Sequence, residues 1–305
     1  MNAAKINGII VNIGGDMVIT GDMNETVQIS DPKADAENDA PIDQLLISNK
    51  AIATSGNYRR GEMINGRWYS HIVDPRTGQP ANEIISATVV APSATDAGAL
   101  ATAFNVLTPA ECKALAATLP GVDYLIITRN GERIESANWK SIELIVPAAE
   151  TRSKEKEWKN ELLISLELSQ QQGFAKRPFA AVWAVDKDGA TVKTIALWYN
   201  KPRWIRDLRE WYRSNGSAFS SDPSAFSSTT SATRSPGKYT LKWDGTDDKG
   251  NAVKQGTYTI YIEVVREHGG HDLLHQEITC TDKTQQFNLK GNIEIAGVTL
   301  DYRKK

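Results

Sequence analysis

A chain of 305 residues has room for two ordinary domains, and its 40% hydrophobic content supplies cores rather than disorder. Lysine plus arginine number 35 against 37 for aspartate plus glutamate, a formal charge of −2, so nucleic acid and anionic membranes have no electrostatic claim as partners. No apolar run approaches the ~18 residues of a transmembrane span, and no basic-then-apolar export signal opens the chain.

In "MNAAKINGIIVNIGGDMVITGD" (1–22), Ile9, Ile10, Val11 and Ile13 read as a buried strand that stops at Gly14–Gly15. "PIDQLLISNKAIATSGNY" (41–58) gives a second short element closed by Ser55–Gly56, and "NEIISATVVAP" (82–92) alternates as a strand does. "SATDAGALATAFNVLTPAECKALAATL" (93–119) reads as helical, with Ala99, Thr102, Ala103 and Val106 at three-and-four spacing and Pro109 dividing it into two helices. "VDYLIITRNGERIES" (122–136) is a hairpin around Asn130–Gly131. Alternating elements of this kind predict an α/β-type layer, an α+β domain over residues 1–147.

The character changes at "VPAAETRSKEKEWKN" (146–160), where Pro147 and mixed charge predict a linker over 148–173. Beyond it, runs rich in Val, Ile, Thr, Tyr and Trp are separated by turns at Asp188–Gly189, Asp244–Gly245 and Lys249–Gly250. That spacing predicts an all-β sandwich over 174–305. One helical insert, "RWIRDLREWYR" (203–213), carries Trp204, Leu208 and Trp211 on one stripe. The stretch "SNGSAFSSDPSAFSSTTSATRSPG" (214–237) is Ser-rich and predicted to be a loop. Cys112 and Cys280 read as small buried hydrophobes, and His268, His271 and His275 as a polar loop between strands rather than a metal cluster.

Chemistry concentrates in the first domain. Glycines 14 and 15, directly after a strand, leave backbone amides open to phosphate oxygens; they equally suit a plain turn. "ATSGNYRR" (53–60) offers hydroxyls, an aromatic ring and two guanidinium groups, suited to an anionic aromatic ligand or to a surface loop. "WYSHIVDPRTGQP" (68–80) sets His71 beside a Pro/Gly turn. A histidine with a pKa of ~6.5 is a natural general base near neutrality, and Asp74 is placed to orient it; a structural histidine is the alternative.

Together "NIGGD", "AIATSGNY", "HIVDPRTGQP" and "SATDAGALATAFNVL", in this order, resemble the C-terminal half of the ApbE-like FAD:protein FMN transferases, over about residues 8 to 130. The resemblance implies an enzyme that uses Mg²⁺ to split FAD and moves FMN onto a Ser or Thr hydroxyl of a target protein, with AMP leaving. It implies His71 as base with Asp74 its partner, and Thr77 and Gly78 shaping the turn. Gly14, Gly15, Asp16, Thr54, Ser55 and Gly56 would line the flavin nucleotide.

Two departures from the family pattern stand out. The family's helix motif reads Ala-Asp-Ala-Leu-x-Thr, whose aspartate and threonine hold magnesium; here it is Ala97-Gly98-Ala99-Leu100-Ala101-Thr102. Thr102 is kept as the metal residue, but the carboxylate is lost, and a hard dication wants anionic oxygen. Asp96 lies about 200° around the helix from Gly98, a poor substitute. The second departure is that the family's first half, with its export signal and much of the FAD site, has no counterpart before residue 8. A separate chain supplying that half, and association through exposed sheet edge, are the corresponding expectations.

The second half, over about 174 to 285, resembles a periplasmic β-domain of unknown function found near or fused to ApbE-like proteins, with a core similar to immunoglobulin-like flagellar-hook cap domains. Periplasmic or cell-envelope location follows from that resemblance. The run Ser227-Ser228-Thr229-Thr230-Ser231-Ala232-Thr233 fits the frame of a flavin-acceptor motif, making Thr233 a candidate acceptor beside the alternative of an ordinary loop. The leading expectation is a flavin transferase. The alternative is a catalytically impaired flavin-binding or protein-binding component of an envelope redox assembly, which Gly98 favours.

Overall fold

The computed structural model describes residues 6–34, 36–58, 60–144, 158–171, 175–226 and 229–305. Two compact units divide the chain: residues 1–34 with 40–146, and residues 35–39 with 147–305.

In the first unit the strands are β1 (Gly8–Ile13), β2 (Asp16–Gly21), β3 (Glu25–Ile29), β4 (Asp43–Ile47), β5 (Lys50–Gly56), β6 (Gly61–Ile64), β7 (Arg67–Ser70), β8 (Val73–Asp74), β9 (Gln79–Pro80), β10 (Ile84–Ala91), β11 (Asp123–Thr128) and β12 (Arg133–Glu135). The helices are α1 (Ala94–Val106), α2 (Pro109–Ala117) and the short α3 (Trp139–Ile142). An antiparallel sheet in the order β1-β2-β5-β10-β11-β12 forms the middle layer. Its central strand β10 is buried almost throughout, which is why its sequence is nearly continuous in Ala, Val and Ile.

One sheet face carries α1 and α2. Ala51, Ala53, Ala87, Val89 and Ala91 meet Ala97, Leu100, Ala101, Phe104 and Cys112 there, and the many alanines let the helix approach closely. The opposite face buries Ile19, Ile52, Val90, Leu125 and Ile127 against Val27, Ile29, Leu45, Ile47 and Trp139. The two helices divide where Pro109 requires it: Thr108 caps α2 with Glu111 answering in a capping box, and Pro109 occupies the first turn, where its missing N–H costs nothing. Asp43, buried, anchors the β3–β4 layer. Burial alone would raise its carboxyl, but hydrogen bonds from the Trp139 indole and Arg133 hold it below the usual range.

Strand β1 differs from expectation. Among the described residues it pairs only with β2, at the sheet's edge, and Ile9, Ile10, Val11 and Ile13 are exposed, Ile13 at 75%. A run of β-branched residues specifies a strand; whether its side chains are covered depends on what packs over the faces of the sheet, which the run itself does not fix.

The second unit holds β13 (Asn160–Leu168), β14 (Phe179–Val185), β15 (Thr191–Trp198), α4 (Arg209–Ser221), β16 (Thr230–Ser231), β17 (Gly237–Trp243), β18 (Gly256–Val265), β19 (His271–Cys280), β20 (Gln285–Lys290) and β21 (Ile295–Lys304). Sheets ordered β17-β13-β21-β20 and β16-β15-β14-β18-β19 enclose one core, in which Leu162, Ile164 and Leu300 face Val182, Ile260 and Ile262. A β-rich sandwich is what the turn spacing predicted.

Four details correct the sequence reading. Part of the predicted linker, residues 160–168, is β13, paired on both sides within its sheet; residues 148–157 and 172–174 lie outside the described residues. The domains are not contiguous, because residues 35–39 belong to the second unit, where the Glu37 N–H donates to the Thr240 carbonyl at 2.7 Å and Asn38 bonds Lys242 both ways. The Ser-rich stretch is largely built: α4 runs to Ser221, a 3₁₀ turn follows at Pro223–Phe226, and Phe219 and Phe226 are buried with Trp211. His271 and His275 sit on β19 rather than in a loop, and only His268 is in the turn before it.

The start of α4 shows how tertiary contacts replace a local cap. Its N-cap residue is Leu208, which has no side-chain acceptor. Glu263 of β18, fully buried, instead accepts the N–H groups of Glu210 and Trp211 at 3.1 and 2.9 Å and bonds His271 Nε2 at 2.7 Å.

Both cysteines are buried, and burial pushes each thiol up to about 12, which keeps it in the neutral thiol form near neutral pH.

Candidate functional site

Side-chain alternation along β5 decides which candidates can meet. Ala51, Ala53 and Ser55 face α1, whereas Ile52 faces the opposite layer. Ser55 Oγ lies 3.1 Å from Thr102 Oγ1, and Thr102 donates to the Gly98 carbonyl one helical turn earlier at 3.1 Å. Thr54 instead bonds Thr88 across the β5–β10 ladder at 2.9 Å, so it is not part of the same cluster.

Gly14 and Gly15 are the two central residues of the β1–β2 hairpin, with φ of +67° and +107°. Two positive φ values suit the right-handed twist of the strands, and glycine adopts them without strain. Among the described residues a Cβ on either would meet nothing within 4 Å, so none of these blocks approach to the glycine backbone. Asp16, the first residue of β2, follows on the exposed end of the hairpin. A Cβ built on Gly98 would stand 3.4 Å from Asp16 Oδ2. The structure therefore brings Asp16, Ser55, Gly98 and Thr102 to one place. Gly56 is fixed by packing instead: a Cβ there would come within 2.4 Å of the Tyr58 ring.

The His71 segment differs from the expected pairing. Asp74 does not reach His71. Its carboxylate is held by the Arg76 side chain at 3.0 Å and by the Arg76 N–H at 2.9 Å, and these bonds keep it below the usual carboxylate range. Arg76 continues to Glu111 at 3.1 Å and the Val106 carbonyl at 3.3 Å, tying the turn to the end of α1 and the start of α2. Thr77 and Gly78 complete that turn: the Gly78 N–H donates to the Asp74 carbonyl at 2.8 Å with φ +68°, and Thr77 Oγ1 accepts from the Gln79 N–H.

The group that orients His71 is one the sequence could not mark, the backbone carbonyl of Arg60, 3.0 Å from Nδ1. A carbonyl only accepts, so Nδ1 carries the proton and Nε2 of the neutral ring is the acceptor, the form a general base needs. No hydrogen bond joins His71 to residues 14–16 among the described residues. A cavity of about 190 Å³ opens beside β7 and β9, lined by Asn57, Trp68, Ser70, Pro80 and Arg129 among others.

Asn105 is a second residue missed by sequence reasoning. Buried on α1, it donates to the Ser55 carbonyl at 2.9 Å and to the Ala101 carbonyl at 3.0 Å, locking the end of β5 onto the helix. Its Oδ1 is buried without a partner among the described residues.

No group of three or more His, Cys, Asp and Glu side chains placed to hold a metal occurs among the described residues. In the cluster around Gly98 the described oxygen donors are the carboxylate of Asp16 and the hydroxyls of Ser55 and Thr102. Thr233 is half-buried in the second unit, next to Arg234, whose guanidinium lies 5.1 Å over the Trp198 ring and pairs with Glu37 at 3.2 Å. Ser227 and Ser228 lie outside the described residues.

With this geometry in view, residues 1–126 match the model of the ApbE family. The N-terminal unit is ApbE-like. Residues 161–297 match a family described as a predicted periplasmic protein, DUF2271. FAD:protein FMN transferases of Escherichia coli and Treponema pallidum are each 33% identical, over 148 and 140 residues, or 46% and 42% of this chain. The chain spans about 40% of the length of these curated relatives. The crystal structure of the ApbE protein from Thermotoga maritima aligns at 33% identity, covering 45% of each chain with a TM-score of 0.41. The flavin transferase ApbE from Vibrio cholerae aligns at 27% identity over 44% of this chain and 43% of its own, TM-score 0.34. No helix among the described residues is long and apolar enough to cross a membrane.

Proposed function

We propose that the ApbE-like unit transfers FMN from FAD to a Ser or Thr hydroxyl of a target protein, with Mg²⁺ on the phosphates. The observation that carries this reading is the 33% identity to FAD:protein FMN transferases over the segment that supplies the Asp16, Ser55 and Thr102 cluster. In the step proposed, the acceptor oxygen bonds the FMN phosphorus, the P–O bond to AMP breaks, and the hydroxyl proton passes to His71 Nε2. Such a transfer asks the protein mainly for positioning, a hard cation and a base. Gly14, Gly15 and Asp16 would border the pyrophosphate, with Ser55 and Gly56 on the adjoining strand end, and the Thr77–Gly78 turn would shape the His71 segment.

The β1 edge supports a further element of the reading. Exposed Ile9, Ile10, Val11 and Ile13 suit coverage by polypeptide equivalent to the portion of the transferases that this chain does not match. The second unit, read as an immunoglobulin-like sandwich, would act in the periplasm or cell envelope, with Thr233 a flavin acceptor on its surface.

A second reading, a flavin-binding or protein-binding component of an envelope redox assembly without turnover, is favoured by two observations: position 98 is glycine, and Asp74 is engaged by Arg76. Incubation with FAD, Mg²⁺ and an acceptor protein, followed by intact-mass measurement, decides between them. Transfer adds an FMN mass to the acceptor, and His71→Ala lowers its rate about 10²-fold or more. FAD binding without any added mass establishes the second reading.

A further inference from the structure

The loss of the motif carboxylate at position 98 has a structural counterpart. In α1, residues 98 and 102 lie one turn apart on the same face, so a side chain at 98 and the Thr102 hydroxyl would point to a common space. Among the described residues, and leaving aside the helix's own backbone and chain neighbours, the only heavy atom within 4 Å of a Cβ at Gly98 is Asp16 Oδ2, at 3.4 Å. A carboxylate thus already stands where a side chain at 98 would begin to extend, delivered from the start of β2. Among the described residues Asp16 makes no hydrogen bond or ion pair. Asp96, the nearer carboxylate in sequence, is committed elsewhere: Ser93 Oγ donates to it at 2.6 Å and accepts the Asp96 N–H at 3.1 Å, capping α1.

We infer that Asp16 takes over the anionic oxygen missing at Gly98 and, with the Thr102 and Ser55 hydroxyls, holds a divalent cation at the N-terminal half of α1. This rests on the transferase reading for its purpose, though the donor set stands on its own chemistry. Mg²⁺ and Mn²⁺ take hard oxygen ligands and are commonly held by one or two carboxylates, with waters and substrate phosphates completing the shell. One carboxylate and two hydroxyls within a single cluster meet that requirement, and the open Gly14–Gly15 backbone beside them leaves room for the phosphate oxygens. The missing side chain at 98 leaves the space that Asp16 uses, so the substitution at one position and the ligand at the other form a single exchange.

Manganese titration of the full chain without flavin tests this, read by loss of the free Mn²⁺ paramagnetic resonance signal, with circular dichroism confirming the fold of each variant. Asp16→Asn should weaken Mn²⁺ binding at least tenfold. The double variant Asp16→Asn/Gly98→Asp should recover most of that affinity, because the carboxylate returns from the helix. Ser93→Ala, which removes only the Asp96 cap, should leave Mn²⁺ binding unchanged. No saturable Mn²⁺ binding by the unsubstituted chain, undiminished binding by Asp16→Asn, or no recovery in the double variant overturns the inference. Failure of the transferase reading is separate: Asp16-dependent Mn²⁺ binding in a chain that never transfers FMN would sink that reading alone.

Discussion

Thr54 and Ser55 are neighbours with nearly the same chemistry and opposite assignments. The pleat turns Ser55 toward Thr102 and Thr54 toward Thr88, so a hydroxyl one position away from the site serves only packing. Removing the Thr54 hydroxyl would strand that of Thr88, which is 1% exposed, and a buried hydroxyl without a partner costs about 1–3 kcal/mol. Thr54→Val is therefore expected to lower the urea unfolding midpoint while leaving FAD and Mn²⁺ titrations unchanged. Ser55→Ala should show the reverse pattern, near-wild-type stability with weaker Mn²⁺ binding. The same logic applies to His71, whose orientation comes from the Arg60 carbonyl. Every residue has a carbonyl, so no side-chain pattern could have announced it, whereas Asp74, three positions away and a plausible orienting group by spelling, is drawn to Arg76 by the stronger bidentate bond.

Helices and strands show where periodicity was a sound guide and where it failed. The break at Pro109, the Asn130–Gly131 hairpin and the β10 strand all follow from local rules, since proline, positive-φ glycine and β-branched residues act without regard to distant contacts. α4 breaks the rule that Ser-rich sequence is loop. Serines occupy its exposed positions, while Trp211 and Phe219 reach the core beneath the five-stranded sheet and Glu263 caps the helix from another strand. Burial of two aromatics outweighs the small propensity penalty of serine, which is below about 0.7 kcal/mol per residue. Phe219→Ala should accordingly cost about 3–5 kcal/mol in denaturant unfolding. A change within about 0.5 kcal/mol would show that this segment is not packed in solution.

At the scale of the whole molecule, the exposed apolar β1 edge is the feature least compatible with a lone soluble chain. Contiguous apolar surface is rare on monomers and marks an interaction face or an association liability. The chain is expected to self-associate at high concentration in sedimentation experiments. Ile9→Lys with Ile13→Lys should shift it toward monomer, because charge on an edge strand discourages pairing. The thermal midpoint should change little, since both side chains are already largely solvated at 49% and 75% exposure. Monomeric behaviour of the unsubstituted chain at all concentrations would remove the association argument, and with it the support for a covering polypeptide.

The sequence by itself determined the two-part organisation, the type of β1, β10, α1, α2 and the β11–β12 hairpin in the first unit, the β-rich character of the second, and the likeness to the ApbE family. Those properties depend on residues acting through their immediate neighbours: period, turn chemistry and short motifs. Only the tertiary structure decided that β1 is an exposed edge, that residues 160–168 and 214–221 are built into the second unit, that Ser55 rather than Thr54 meets Thr102, and that the carboxylate of Asp16 stands against Gly98. Each of these is a relation between atoms distant along the chain, fixed by which faces and strands pack together, and no local pattern encodes that choice.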